Sequence, residues 1–234
     1  MKTSKRMTGV YKQVDRLKAY ALNEAAQLLK KVSTVKFDET VELAFALGVD
    51  VKKADQMVRG VVTLPHGTGK NVRILVFAGE AQAKEALKAG ADFAGFEEYF
   101  TKVKEGWVDY DVVVSTPDLM REVGKLGKVL GPKGLMPTPK AGTVTADVKV
   151  AVQEIKKGKI EYRIDKQANV AVAIGKLSFD SEKIVENATT VIDAILKSKP
   201  VSSKGEYLKG LSIASTMGPG LRLDVKLLTA EKEE

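Results

Sequence analysis

The chain alternates between two patterns of apolar positions. Residues 40–49 place Val41, Leu43, Phe45 and Leu47 at every second position, which is typical of a half-buried strand. From about residue 68 to about residue 158, short and nearly continuous apolar runs alternate with helical segments, which predicts a parallel sheet built from βαβ units. After residue 158 the alternating pattern returns.

The periodicities predict individual elements. In the first and last parts of the chain, helices are expected at residues 23–32 and 180–199, and strands at residues 40–49, 57–64, 159–165, 169–175, 207–216 and 221–228. In the middle part, strands are expected at residues 71–78 and 110–116, helices at 80–90, 96–106 and 117–130, and a loop at 126–145. We expect Asn23 to cap the first helix and Thr116 to cap the helix that begins with Pro117.

The distribution of elements predicts a discontinuous domain. Residues 1–67 are expected to hold one helix and two strands, too little to form a core alone. Joined to residues 159–234, they make an α+β domain with an antiparallel sheet, into which a Rossmann-like α/β domain of residues 68–158 is inserted. Two strands would join the domains as a hinge. The expected hinge residues are Pro65, Gly67, Gly69 and Gly158, in which glycine supplies backbone freedom.

Composition narrows the classes of function. The chain has no cysteine, which excludes disulfides, thiolate metal sites and cysteine nucleophiles, and predicts a reducing, cytoplasmic setting. Its apolar runs are too short to span a bilayer, and its basic N-terminus lacks the apolar region of a secretory signal. A net charge of +8 favours a nucleic-acid partner, although well-solvated lysines would give the same value.

The segment TLPHGTGK at residues 63–70 contains the ending of a phosphate-binding loop. A P-loop needs glycine at position 64 and serine or threonine at 71, where this chain has Leu64 and Asn71. The segment also precedes its strand instead of following it. His66 is the only histidine and lacks a second ligand for zinc, and no GxGxxG follows the strand at residues 71–78. We therefore predict no catalytic residue, no metal and no cofactor.

Two other regions carry candidate chemistry. The loop at residues 126–145 has glycines and lysines that suit an anion or a partner surface, or it is simply a long surface loop. The second region combines TVKFDET (34–40) with STMGPG (215–220). There a hydroxyl, a soft apolar side chain and flexible glycines accompany a lysine and an aromatic ring, although a hairpin turn and a strand start would look the same.

Five motifs in order carry a family resemblance. The segments KFDETVE, DQMVRGVVTLPHGTGK, KVLGPKGLMPTPKAGTVT, YRIDK and STMGPG together resemble the "L-one" family of bacterial large-subunit ribosomal proteins over roughly residues 5–228. Met57 stands where many relatives carry asparagine. The two-domain form of that family, with a discontinuous first domain, agrees with the pattern described above.

The resemblance implies a non-enzymatic protein of the large ribosomal subunit. Its first domain would bind an rRNA junction in the mobile stalk, assist release of deacylated tRNA from the exit site, and repress translation of its own operon mRNA. The protein is expected to be cytoplasmic, not bound to a membrane, and monomeric outside the ribosome.

The same resemblance assigns RNA contacts to particular residues. The expected rRNA contacts are Lys36, Phe37, Thr40, Thr216, Met217, Gly218 and Gly220. Arg163, Asp165 and Lys166 of the YRIDK motif are weaker candidates. Lys2, Lys5, Arg6 and Lys12 of the N-terminal arm would add a salt-dependent attraction.

Two alternatives remain open from the residues alone. A nucleotide-binding enzyme would use the inserted domain and would be stabilised by ATP, GTP or NAD. A general RNA chaperone would bind RNA without preferring a junction. Whether the inserted domain contacts RNA or tRNA is also left open by the sequence.

Overall fold

The computed structural model describes residues 4–203 and 205–225, which divide into two compact units. The discontinuous unit includes the described chain up to Gly69 and again from Tyr162, and the inserted unit is Lys70–Glu161. The first contains an antiparallel sheet and the second a separate parallel sheet. This confirms the predicted fold class of α+β with an inserted α/β arrangement.

The discontinuous unit is built on a four-stranded sheet. Its helices are α1 (Lys5–Tyr11), α2 (Leu22–Val32) and α8 (Ser181–Lys197). Its strands are β1 (Thr40–Leu47), β2 (Arg59–Thr63), β7 (Asn169–Lys176), β8 (Leu208–Ser215) and β9 (Leu221–Arg222). The sheet has the order β7-β1-β8-β9, while β2 pairs with β6 (Lys159–Arg163) in a second, two-stranded sheet.

The alternating pattern of β1 places its apolar side chains in the core. Val41, Leu43, Phe45 and Leu47 are buried, and the helices α2 and α8 pack against each other and against this sheet. Because β1 is central and pairs antiparallel with both β7 and β8, its two ends become two separate places where loops meet.

Three features of this unit differ from the sequence prediction. Asn23 does not cap α2, because the helix begins at Leu22, which is buried, and Ala21 occupies the cap position. The helix α1 was not predicted; Ser4 caps it by accepting a hydrogen bond from the Met7 N–H. The strand predicted at residues 221–228 is regular only over Leu221–Arg222, and its last residues lie outside the described chain.

The inserted unit contains a three-stranded parallel sheet with the order β4-β3-β5. Its strands are β3 (Ile74–Phe77), β4 (Phe93–Ala94) and β5 (Val112–Ser115). Its helices are α3 (Glu80–Lys88), α4 (Glu97–Lys104), α5 (Met120–Val123), α6 (Gly127–Leu130) and α7 (Val148–Lys156). Apolar clusters on both faces of β3 form its core, as expected for a strand buried on both sides.

The helix predicted at residues 117–130 is wrong in its start and its continuity. Thr116 does not cap it; the Thr116 N–H donates to the Phe77 carbonyl, which keeps this residue at the end of the sheet. The helix starts at Met120, and a 3-10 turn at Gly124–Leu126 separates α5 from α6.

The loop predicted at residues 126–145 is shorter and more ordered than expected. It includes α6 and a 3-10 turn at Pro139–Ala141. The helix α7 that follows was missed, although its buried residues have helical spacing. These buried residues are Val148, Ala151, Val152 and Ile155.

Candidate RNA-binding surface

The start of β1 and the end of β8 are joined by a reciprocal pair of threonines. The Thr40 N–H donates to Thr216 Oγ1 at 3.0 Å, and the Thr216 N–H donates to the Thr40 carbonyl at 3.1 Å. Thr216 Oγ1 also donates to that carbonyl at 3.3 Å, while Lys176 Nζ donates to Thr40 Oγ1 at 3.1 Å. The structure therefore brings together the two segments that the sequence singled out.

A buried carboxylate lies beneath this pair. Glu39 is only 1% exposed, and it accepts hydrogen bonds from the Ser33 hydroxyl at 2.6 Å and the Met217 N–H at 2.9 Å. Burial alone would raise the pKa of Glu39, but these hydrogen bonds, helped by the charge of Arg6, outweigh it and lower the pKa. Glu39 is therefore an ionised anchor within the protein.

Arg6 completes the fixation of Met217. Its Nη2 donates to the Met217 carbonyl at 2.8 Å, and its Nη1 donates to Thr34 Oγ1 at 3.4 Å. Both backbone polar groups of Met217 are thus bonded, one to Glu39 and one to Arg6. From the sequence, Arg6 was expected only to add positive charge. In the structure it makes a specific contact with the Met217 carbonyl.

Two large apolar side chains of this region are exposed. Met217 is 45% exposed and Phe37 is 54% exposed, and Lys36 beside Phe37 is exposed as well. A shallow cavity of about 360 Å³ lies against Phe37 and is also lined by Lys30 and Ser178. We call the seven residues of this region the Thr216 surface: Lys36, Phe37, Thr40, Thr216, Met217, Gly218 and Gly220.

The two glycines of this surface have different surroundings. A Cβ atom at Gly218 would lie 2.2 Å from Ser215 Oγ, so a larger residue there would force the buried Ser215 hydroxyl to move. A Cβ atom at Gly220 would meet no atom of the described protein within 4 Å. Open space at Gly220 leaves room for the backbone of a ligand to approach closely.

The residues of the YRIDK motif lie elsewhere. Asp165 and Asn169 bound a turn that contacts the far end of β1, where the Leu47 N–H donates to the Ala168 carbonyl. Seven residue steps along β1 separate Leu47 from Thr40, roughly 23 Å at strand spacing. The structure therefore does not bring Arg163, Asp165 and Lys166 together with the Thr216 surface.

Asp165 has a clear local contact of its own. Its Oδ1 accepts the N–H groups of Asn169 at 2.8 Å and Gln167 at 2.7 Å. The Asn169 N–H is the main cause of a lowered pKa for Asp165. Its carboxylate thus closes the turn between β6 and β7.

The segment with the P-loop-like ending is anchored by a buried amide. Asn187 on α8 is fully buried; its Oδ1 accepts the His66 N–H, and its Nδ2 donates to the carbonyls of Gly67 and Ile174. No helix follows Gly69 directly, since β3 comes next. This geometry differs from that of a P-loop.

The described residues contain neither a membrane-spanning helix nor a cluster of metal ligands. No helix among them is long and apolar enough to cross a membrane. Within residues 4–203 and 205–225, no three histidine, aspartate or glutamate side chains cluster as metal ligands.

The fold and this surface together define the class of protein. It is a basic chain of two units, and its discontinuous unit carries a preformed surface of polar and apolar groups. The sequence profile of the ribosomal protein L1p/L10e family matches residues 29–219. The match covers well over half of the chain, which therefore belongs to this family. It is a large-subunit ribosomal protein that binds rRNA, in a family of structural ribosomal proteins and not of enzymes.

Proposed function

We propose that the Thr216 surface is the rRNA-binding site of this protein. The observation that carries the proposal is the fixation of Met217, whose N–H and carbonyl are both bonded while its side chain remains half-exposed. A surface fixed before binding loses little conformational entropy when RNA binds. This favours recognition of a defined RNA shape.

The groups on the surface suit irregular RNA, which proteins recognise through sugar edges, 2′-hydroxyls and exposed bases. Thr40 Oγ1 accepts from Lys176 and keeps its own proton to donate. Met217 and Phe37 offer apolar contact with a sugar or base. Lys36 supplies charge for a phosphate.

The hydroxyl of Thr216 has a different role in this proposal. It already accepts from and donates to the Thr40 backbone, so its contribution to RNA binding is mainly to hold the ends of β1 and β8 in register. Gly220 supports close approach of the RNA, whereas Gly218 serves the turn itself.

On the ribosome, the same surface would attach the protein to the mobile stalk beside the exit site. There the protein would assist release of deacylated tRNA. Binding of a similar junction in its own operon mRNA would repress translation of that mRNA. Its location would be cytoplasmic, and it would be monomeric when free. The resemblance of the sequence motifs to the family supports these steps.

Movement of the inserted unit would accompany tRNA release, with Pro65, Gly67, Gly69 and Gly158 at or near the crossings. Asn187 binds the segment at Gly67, and a Cβ atom at Gly69 would lie 2.9 Å from the side chains of Lys176 and Phe179. Both contacts belong to the discontinuous unit. They favour a pivot that begins after Gly69.

The proposal is tested by comparing the affinity for a stalk-junction RNA with that for a plain duplex of equal length over a salt series. Shape-specific recognition predicts a preference for the junction that persists at high salt. Equal affinities that fall together with salt would indicate binding by charge alone, and they would contradict the proposed site.

A further inference from the structure

The inserted unit has a groove of its own, whereas the residues of the Thr216 surface belong to the discontinuous unit. It has a volume of about 510 Å³ and is open to solvent on one side. Its apolar lining includes Ala83 and Leu87 of α3, Phe96, and Leu119. Leu87 is 49% exposed, a large apolar side chain left without full cover by the described protein.

The groove lies at the carboxyl ends of the parallel strands. Gly79 follows β3, Gly95 follows β4, and Leu119 follows β5, and all three line it. After β3, the chain forms β4 on one side of β3 and then crosses over to form β5 on its other side. Open α/β sheets bind their ligands at this kind of crevice.

The charges at the rim disfavour a phosphate ligand. Glu80 and Glu97 occupy the first turns of α3 and α4, where helix dipoles would otherwise attract an anion. Among the residues described here, neither carboxylate has an ion-pair partner. Of the described residues that line the groove, Lys84 alone is cationic. In a chain of net charge +8, this rim is locally acidic.

We propose that this groove binds a basic segment of another protein, in which an apolar side chain is flanked by lysine or arginine. The apolar side chain would cover Leu87 and Phe96, and the flanking cations would pair with Glu80 and Glu97. The volume lies within the range of pockets that enclose a compact ligand. RNA is disfavoured because its phosphates would meet two unpaired carboxylates.

The test uses the full-length chain labelled with ¹⁵N and a blocked peptide in which leucine and phenylalanine are flanked on both sides by lysine and arginine. Amide shifts at Gly79, Ala83, Leu87 and Gly95 are expected on titration. A peptide with serine in place of both apolar residues, and one with glutamate in place of the basic residues, serve as ligand controls.

Matched variants separate the groove from the rest of the unit. Leu87→Ser is compared with Val150→Ser, since Val150 on α7 is 48% exposed and lies outside the groove. Glu80→Lys is compared with Glu85→Lys, which changes an exposed glutamate of the same helix. We expect Leu87→Ser and Glu80→Lys to weaken peptide binding about tenfold, and the two controls to leave it unchanged, with thermal unfolding showing that all four variants fold.

Several results would overturn the inference. One is the absence of shifts at the groove amides at about 1 mM peptide, where a contact worth about 4 kcal/mol is half-occupied. Equal weakening by Leu87→Ser and Val150→Ser is another. Shifts of the same amides by ATP or junction RNA in place of the basic peptide would assign the groove to a nucleotide or nucleic-acid ligand.

Discussion

The N–H of Met217 donates a 2.9 Å hydrogen bond to the carboxylate of Glu39, a residue 178 positions earlier in the chain. Glu39 is buried, whereas the Met217 side chain is half-exposed. This contact fixes the tip of the turn after β8 against the segment that leads into β1. The proposed RNA surface therefore depends on a residue that RNA would not touch.

Glu39→Gln is expected to lower the free energy of unfolding at pH 7 by about 1–3 kcal/mol, because the amide cannot accept from both Ser33 and Met217 as the carboxylate does. The folded-state pKa of Glu39 is lowered, so its stabilisation is present above the unfolded pKa, about 4.3, and is lost as pH falls through the folded pKa. Chemical unfolding of both proteins from pH 7 to pH 3 should show a constant difference that shrinks below about pH 4.3. A difference that grows at low pH would contradict this assignment.

Substitutions at the two glycines should separate folding from binding. Gly218→Ala forces the buried Ser215 side chain to move and is expected to cost about 1–3 kcal/mol of stability. Gly220→Ala meets open space, so its stability should change by less than about 0.5 kcal/mol while its junction RNA affinity falls about tenfold. Thermal unfolding and titration with RNA measure the two effects. Unchanged RNA affinity in Gly220→Ala would remove this residue from the proposed contact.

Thr216→Val removes the hydroxyl that bonds the Thr40 backbone, whereas Thr216→Ser retains it. We expect Thr216→Val to lose about 1–3 kcal/mol of stability or binding free energy and Thr216→Ser to remain close to the original protein. Unfolding and RNA titration of both variants provide the check. A loss in Thr216→Ser as large as that in Thr216→Val would contradict this role of the hydroxyl, because serine retains it.

Asn187→Leu should destabilise the discontinuous unit. The substitution leaves the His66 N–H and the carbonyls of Gly67 and Ile174 without their partner, and each unsatisfied buried group costs about 1–3 kcal/mol. Thr190→Leu, a change at a more exposed position of the same helix, is the control. Similar unfolding temperatures for the two variants would mean that the amide does not anchor the crossing.

The sequence predicted the sheet of the discontinuous unit well. Apolar residues at every second position of β1 indicate directly that one face of this strand is buried. The sequence grouped the Thr40 and Thr216 segments as one candidate region, and in the structure hydrogen bonds join them. The burial of Glu39 was not predicted, because a carboxylate within a run of polar residues is normally expected to be exposed to solvent. Its burial depends on Met217 and Arg6, contacts that no local pattern encodes.

Other errors had local causes. Thr116 and Pro117 form a sound helix start in isolation, but the sheet uses the Thr116 N–H, so the helix begins later. The buried positions from Val148 to Ile155 have helical spacing, a local signal that is sufficient to predict α7. The sequence did not predict that Arg163, Asp165 and Lys166 lie at the far end of β1. That prediction needs the register between the strands, which the sequence pattern does not provide.

The most direct test of the central claim compares two equally exposed methionines. Met217 is 45% and Met57 is 48% exposed, and both belong to the discontinuous unit. Met217→Asp should weaken binding of the stalk-junction RNA by at least about tenfold, or about 1.4 kcal/mol, while Met57→Asp leaves it unchanged. Equal losses in the two variants would show that the added charge alone weakens binding, and would contradict the assignment of the Thr216 surface.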